Sequence, residues 1–134
     1  MDVVVLIARV LFIAIFAASG IGHLTQSGAM AWYAQSKGVP APKAGVIVSG
    51  LLMVLGAISV LFGIWGDLGA VLLLVAVLPI AFVMHRYWSE TDPGAKMSEQ
   101  VQFNKTLGLS GGALALFAYL PELGLTVTGP LFSV

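Results

Sequence analysis

The sequence predicts an all-α, polytopic membrane protein: a bundle of four transmembrane helices with a short interfacial helix between the first and the second. Of its 134 residues, 59% are hydrophobic and 9% are charged, whereas a soluble domain carries about 25% charged residues. Four apolar runs approach the roughly 20 helical residues that cross a hydrocarbon layer. Backbone amides and carbonyls must pair within each segment in lipid, which favours helices. We therefore predict a single membrane domain over residues 1–134.

The first span is predicted at about residues 3–22. Asp2 stands where a secretory signal peptide carries Lys or Arg, so we interpret this segment as a permanent span. The interfacial segment follows at about residues 27–38. Its Trp32 and Tyr33 are typical of the headgroup level of a membrane.

The second and third spans are predicted at about residues 44–65 and 68–85. They form an antiparallel hairpin because the turn between them is short. Pro79 lies inside the third span, where it removes one helix hydrogen bond and predicts a bend. That bend either serves packing alone or widens a cavity.

The fourth span is predicted at about residues 102–120. It follows a polar segment in which Asp92-Pro93-Gly94 indicates a turn and Ser98 a helix cap. Asn104 shares one helical face with small residues, namely Gly108, Gly111, Gly112 and Ala115. Such a face is typical of helix contacts in membranes, so we expect Asn104 to point into the bundle.

The two histidines of the chain, His23 and His85, each follow an apolar run. Four spans bring the ends of spans one and three, and the start of span four, to one membrane face. Ionisable groups in membrane segments usually face the protein interior. We therefore expect His23, His85 and Asn104 to line one ligand pocket, with Ser19 and Lys105 beside them. Its apolar wall is expected from Phe16, Phe82, Trp88 and Phe103. In the alternative interpretation, both histidines are ordinary interfacial residues and Lys105 is a snorkelling anchor.

Arg9 lies near the opposite face, where we expect a structural pairing with Asp67 or Glu122. Five cations lie on the histidine side: Lys37, Lys43, Arg86, Lys96 and Lys105. Because the positive-inside rule counts such residues, it predicts that the histidine side is cytoplasmic and that both termini are outside.

Composition excludes several classes of protein. The absence of cysteine excludes disulfides, thiol nucleophiles and Cys-ligated metal clusters. A formal net charge of zero gives no footprint for nucleic acid, and no metal ion is expected. Four acids are interpreted as solvated: Asp67, Glu90, Asp92 and Glu99. No Ser-His-Asp set is placed together, so a hydrolase is not supported.

Five segments follow one another in a distinctive order: ARVLFIAIFAASGIGHL, KGVPAP, SGLLMVLGAISVLFGIWGDLGA, VMHRYW and VQFNKTLGLSGGALAL. Together they resemble the DoxX family of small bacterial membrane proteins. The resemblance implies a four-helix bundle in the bacterial cytoplasmic (inner) membrane. Named members resemble subunits of thiosulfate:quinone oxidoreductase, and others go with membrane redox complexes.

The family pattern carries over at ten positions of this chain: Arg9, Ser19, Gly20, His23, Gly50, Gly56, His85, Phe103, Asn104 and Lys105. Many members have an acid where this chain has Met53. The resemblance therefore implies that the counter-charge of Arg9 is either missing or supplied by Asp67 or Glu122.

Three functional hypotheses follow. In the first, the chain binds a quinone or another lipid-soluble ligand as a subunit of a membrane redox complex, because His and Asn supply hydrogen bonds and His moves protons near neutral pH. In the second, the two histidines are axial ligands of a haem b. In the third, the chain is a non-catalytic assembly or carrier subunit. The expected partners are the lipid bilayer and either another protein or a second copy.

Overall fold

The structure is a computed structural model that describes residues 2–120 and 125–132. Within these residues the chain is helical and contains no strand, which confirms the all-α part of the predicted fold class. Five α-helices and one short 3-10 helix follow in order: α1 Asp2–Thr25, α2 Ser27–Ser36, α3 Pro42–Phe62, α4 Gly66–Met84, the 3-10 helix Tyr87–Ser89, and α5 Pro93–Tyr119.

Three segments are long and apolar enough to cross a membrane: Asp2–Thr25, Pro42–Phe62 and Gly66–Ser89. Each has a mean hydropathy of 2.5 in its most apolar window. They correspond to the first three predicted spans. Helix α4 continues across Pro79 without interruption, so the proline is accommodated inside one span.

Helix α5 begins earlier than predicted, at Pro93. The side chain of Asp92 accepts a hydrogen bond from the backbone N–H of Ala95 at 2.8 Å, and Pro93 occupies the first helical position. An N-cap carboxylate followed by proline is a strong helix start. The prediction of a turn at Asp92-Pro93-Gly94 with a cap at Ser98 was therefore wrong.

The helices pack in the order α1, α3, α4, α5, with α2 lying on α3. Glycines allow two close crossings. A Cβ added at Gly20 of α1 would lie 3.0 Å from the carbonyl oxygen of Gly50 in α3, and one added at Gly56 of α3 would lie 2.9 Å from that of Gly69 in α4. Between these crossings the core buries mainly aliphatic and aromatic side chains, among them Phe16, Met53, Val60, Leu73 and Ala113.

The packed face of α5 overlaps the predicted glycine face at Gly112, where an added Cβ would lie 2.7 Å from Cε2 of Phe12 in α1, but differs elsewhere. Thr106, Ser110 and Ala113 are buried, whereas no described residue comes within 4 Å of a Cβ added at Gly108 or Gly111. The hydroxyls of Thr106 and Ser110 each donate to a carbonyl one turn earlier in α5, at 2.8 and 2.9 Å. Because these hydroxyls are satisfied within their own helix, they can be buried without an external partner.

Two buried charges hold the C-terminal tail against the end of the bundle opposite the histidines. Arg9 donates from Nη1 to the carbonyl of Leu125 at 2.7 Å, and Asp67 accepts from the backbone N–H of Phe132 at 2.6 Å. Arg9 and Asp67 expose only 2% and 1% of their surface. Asp67 is thus buried, not solvated as predicted. Glu122, the other expected partner of Arg9, lies outside the described residues.

Candidate functional site

His23 is fixed in the last turn of α1 by its contacts with α3. A Cβ added at Gly50 would lie only 2.8 Å from the Cβ of His23, so glycine there allows the close approach. The Nδ1 atom of His23 is 2.9 Å from the hydroxyl of Ser49, and that hydroxyl donates its only proton to the carbonyl of Val46 at 3.0 Å. The hydroxyl therefore accepts from Nδ1–H, which leaves Nε2 for a ligand.

His85 is fixed in the same way from the end of α4. Its Nδ1 atom is 2.8 Å from Oε2 of Glu99 in α5. Since an ionised carboxylate only accepts hydrogen bonds, the proton belongs to Nδ1. In both rings Nδ1 is therefore the nitrogen that the protein holds, and Nε2 is the nitrogen that remains for another molecule.

A cavity of about 500 Å³ opens between α2, α3 and α4 and is lined by both histidines. Most of its wall is apolar, with contributions from Met30, Val39, Leu52, Ile80 and Val83. Val75 and Pro79 also line it. Because proline has no N–H, the carbonyl of Val75 lacks its usual helix donor. The cavity is thus apolar, with polar groups concentrated at the histidine end.

A second cavity of about 150 Å³ lies inside the bundle between α1, α3, α4 and α5. It too is lined by His23 and His85. Its wall is more polar and includes Ser19, Gln102, Lys105 and Thr106, with Phe16 among the apolar residues. The two imidazoles therefore stand where the large apolar cavity and the small polar cavity meet.

A group of charged and polar side chains closes the site beside His85. We call it the Glu99 cluster, and it consists of Tyr33, Lys37, His85 and Glu99; Glu90 lies at its edge and pairs with Lys37 only. Tyr33 donates to Oε1 of Glu99 at 2.6 Å, and Nζ of Lys37 lies 2.6 Å from Oε1 of Glu90 and 3.3 Å from Oε1 of Glu99. Burial opposes ionisation of Glu99, but hydrogen bonds from Tyr33, His85 and Lys37 outweigh it and hold the pKa of Glu99 below its usual value.

Sequence reasoning missed the role of Glu99, which it interpreted as a solvated loop acid. The side chain of Glu99 is 13% exposed. A signal was present in the sequence: at about 100° per residue, Glu99 shares a helical face with Thr106, which lies two turns later. Extending α5 back to Pro93 would have placed Glu99 on the buried face.

The remaining predicted site residues divide into two groups. Ser19 and Lys105 line the small cavity. Asn104 is exposed and lines neither cavity, because it lies about 160° around the helix from buried Thr106. The expectation that Asn104 lines the pocket was therefore wrong.

The aromatic wall is also placed differently. Phe103 packs against Phe82, Tyr87 and Trp88, with ring centroids 5.4 to 5.6 Å apart. Phe82, Trp88 and Phe103 line neither cavity, and of the four predicted wall residues only Phe16 lines one. These rings form a separate cluster that fixes the 3-10 helix against α5.

Comparison with known proteins adds three findings. A family model described as DoxX matches residues 4–86, which include both histidines. The inner membrane protein YphA of Escherichia coli (strain K12) is 28% identical over 128 residues, covering 96% of this chain and 84% of that protein. No solved structure matches the chain.

Proposed function

The chain belongs to the DoxX family, and on that premise we propose that it binds a lipid-soluble ligand of the quinone class at its two histidines. It is a multi-pass protein of a bacterial inner membrane. One observation carries the proposal: two imidazoles, each held by the protein at Nδ1, line an apolar cavity of about 500 Å³. Small-molecule sites of this kind measure about 300–1,000 Å³ and combine apolar walls with few polar groups.

The donor set suits a quinone head group. An imidazole accepts a hydrogen bond at Nε2 when it is neutral and donates one when it is protonated. His23 and His85 therefore complement a head group whose oxygens exchange between carbonyl and hydroxyl. A bound quinone would supply two-electron, two-proton redox chemistry, and the histidines would hold or move the protons near neutral pH. The apolar wall of the large cavity would contact the isoprenoid side chain of the quinone.

Redox chemistry at this site needs an electron donor or acceptor. The chain has no cysteine and so carries no thiol redox centre or Cys-ligated cluster of its own. We therefore propose that it acts as a binding subunit beside a catalytic partner in a membrane redox complex.

The placement in the membrane is part of the proposal. We propose that the apolar second half of α5 forms a fourth span and that α2 lies in the interface, where Trp32 is 74% exposed. Support comes from the packing of α5 along α4 and from five cations on the histidine side against Arg9 on the other. The positive-inside rule then places the histidines on the cytoplasmic side.

Quinone binding is testable by titrating the purified protein in lipid nanodiscs with decylubiquinone and following its tryptophan fluorescence. We expect saturable quenching in the wild type and affinity reduced by about tenfold or more in His23→Phe and His85→Phe, since each loses a hydrogen bond to a buried ligand. Asn104→Ala is the matched control, because it removes a polar residue from the same end without touching a cavity.

Other outcomes decide between the remaining hypotheses. A Soret band in the purified protein that disappears in either histidine variant would favour the haem b anchor. Wild-type protein that ignores the quinone, or phenylalanine variants that bind it unchanged, would leave an assembly or carrier subunit.

A further inference from the structure

We propose that Glu99 is the positioning residue for His85: its carboxylate holds Nδ1–H, so that the Nε2 atom of His85 is presented to the ligand. The part of this inference that concerns the ligand rests on the proposed function. The arrangement of Glu99 and His85 rests on their contacts alone. Glu99 was not among the predicted site residues, and it lies on a different helix from the histidine that it orients.

The two oxygens of Glu99 have separate tasks. Oε2 accepts from Nδ1 of His85 at 2.8 Å, while Oε1 accepts from the hydroxyl of Tyr33 at 2.6 Å and lies 3.3 Å from Nζ of Lys37. These partners come from the end of α4 and from α2. A carboxylate held at both oxygens by two other elements cannot rotate away from the imidazole, so the ring orientation is fixed.

The charge of Glu99 fixes the tautomer as well as the orientation. Because its pKa is held below the usual range, Glu99 is ionised at neutral pH and offers only acceptor oxygens to the ring. Carboxylates behind a functional imidazole commonly set its tautomer in this way. The other titratable groups near His85 include Lys105 and His23, which line the small cavity with it, Tyr33 and Lys37 behind the carboxylate, and the adjacent Arg86, which donates to the carbonyl of Lys37.

The same contacts link the imidazole to the wall of the large cavity. Tyr33, with Met30 and Ala34 of α2, lines that cavity. Since Tyr33 and Lys37 also hold Glu99, the position of α2 against the ligand and the orientation of His85 depend on one set of hydrogen bonds. The Glu99 cluster therefore joins the cavity wall to the group that meets the ligand head.

The test is nitrogen NMR of ¹⁵N-histidine-labelled protein in nanodiscs, without ligand, at neutral pH. We expect the wild-type signal of His85 to show a protonated Nδ1, and Glu99→Gln to show a new population protonated at Nε2, since a neutral amide offers either a donor or an acceptor. Glu90→Gln is the matched control: it removes a carboxylate that also binds Lys37 but does not touch His85, so the spectrum should stay unchanged.

Ligand binding gives a second readout. Glu99→Gln should weaken decylubiquinone binding by about tenfold, and the double variant with His85→Phe should bind no more weakly than His85→Phe alone. A wild-type His85 protonated at Nε2 but not at Nδ1, or a spectrum that Glu99→Gln leaves unaltered, overturns the inference, and the wild-type spectrum decides even if the variant does not fold. If the tautomer behaves as expected but the wild type binds no quinone, the proposed function fails and the positioning role stands.

Discussion

At the scale of single residues, the two histidines are held by chemically different partners. His23 is held by Ser49, a neutral hydroxyl whose proton is already given to the carbonyl of Val46. His85 is held by Glu99, an ionised carboxylate. Both arrangements fix Nδ1–H and free Nε2, but only the second depends on a charge. Protonation of Glu99 at low pH should therefore weaken the contact that holds His85.

That dependence predicts how stability changes with pH. The folded-state pKa of Glu99 is lowered, so Glu99 stabilises the fold above the usual range for glutamate, and this contribution is lost as pH falls through the lowered pKa. We expect the thermal unfolding temperature of the wild type to decrease once the pH is lowered past about 4.5. In Glu99→Gln this decrease should be less steep. Glu90→Gln should follow the wild type, because the carboxylate of Glu90 pairs with Lys37 and does not bind His85. Identical acid profiles for Glu99→Gln and the wild type would contradict this assignment.

Residue positions were predictable where topology alone decides them. The position of His23 and His85 at one end of the bundle follows from where two apolar runs end, and both histidines line the same two cavities. The position of Asn104 depended on the rotation of one helix, which glycine spacing indicated wrongly. Predicting the partner of His85 required the correct start of α5. Because Asp92 was interpreted as part of a turn, Glu99 was placed in a loop and was not predicted to contact His85.

At the scale of helices, the crossing of α1 and α3 sets the position of His23. Gly20 and Gly50 face each other, and the Cβ of His23 occupies the space beside Gly50. In lipid such crossings are stabilised by close packing of small residues. The crossing is thus both a packing contact and a positioning device for the imidazole.

Alanine substitutions test this role. Gly50→Ala should force α1 and α3 apart and destabilise the protein by about 1–3 kcal/mol, as overpacking does, and it should weaken quinone binding by displacing His23. Gly111→Ala is the matched control, because no described residue lies within 4 Å of the added Cβ. It should be neutral or stabilising by up to about 1 kcal/mol, since alanine favours helix over glycine. Thermal unfolding in detergent measures both, and equal midpoints for the two variants would rule out the crossing as a determinant.

The helices themselves were largely predictable because lipid imposes their form and length. Hydrophobic runs indicated α1, α3 and α4 within a few residues of their bounds. The start of α5 was missed because its first turns are polar, and there an N-cap carboxylate and a proline decide the structure, not hydropathy. The Asp-Pro-Gly sequence is compatible with both a turn and a helix start.

At the scale of the whole molecule, the two ends of the bundle have different tasks. One end carries both histidines, the Glu99 cluster and most cations. At the other end, Arg9 and Asp67 anchor the tail over the turn between α3 and α4, where Val127 also donates to the carbonyl of Gly63 at 3.1 Å. Residues 125–132 thus close the end of the bundle away from the histidines.

The proposed orientation can be measured directly because the natural chain contains no cysteine. Single substitutions Asp2→Cys and Lys96→Cys place one thiol at each end. In cells with a permeabilised outer membrane, a membrane-impermeant maleimide should label Asp2→Cys, whereas Lys96→Cys should react only after lysis, as the positive-inside rule requires. The reverse pattern would invert the orientation. Labelling of both before lysis would contradict the proposal that these two positions lie on opposite faces.

Photoaffinity labelling can show whether the large cavity beside the two histidines receives a quinone, as we propose. Protein in nanodiscs would be irradiated with an azido-ubiquinone and the modified peptides mapped by mass spectrometry. We expect labels on cavity-lining residues of α2, α3 and α4, such as Met30, Leu52 and Ile80. Excess decylubiquinone should displace these labels, and His23→Phe and His85→Phe should lose them. Labels spread over lipid-facing side chains such as Leu11 and Leu114, unaffected by competitor or by either substitution, would contradict it.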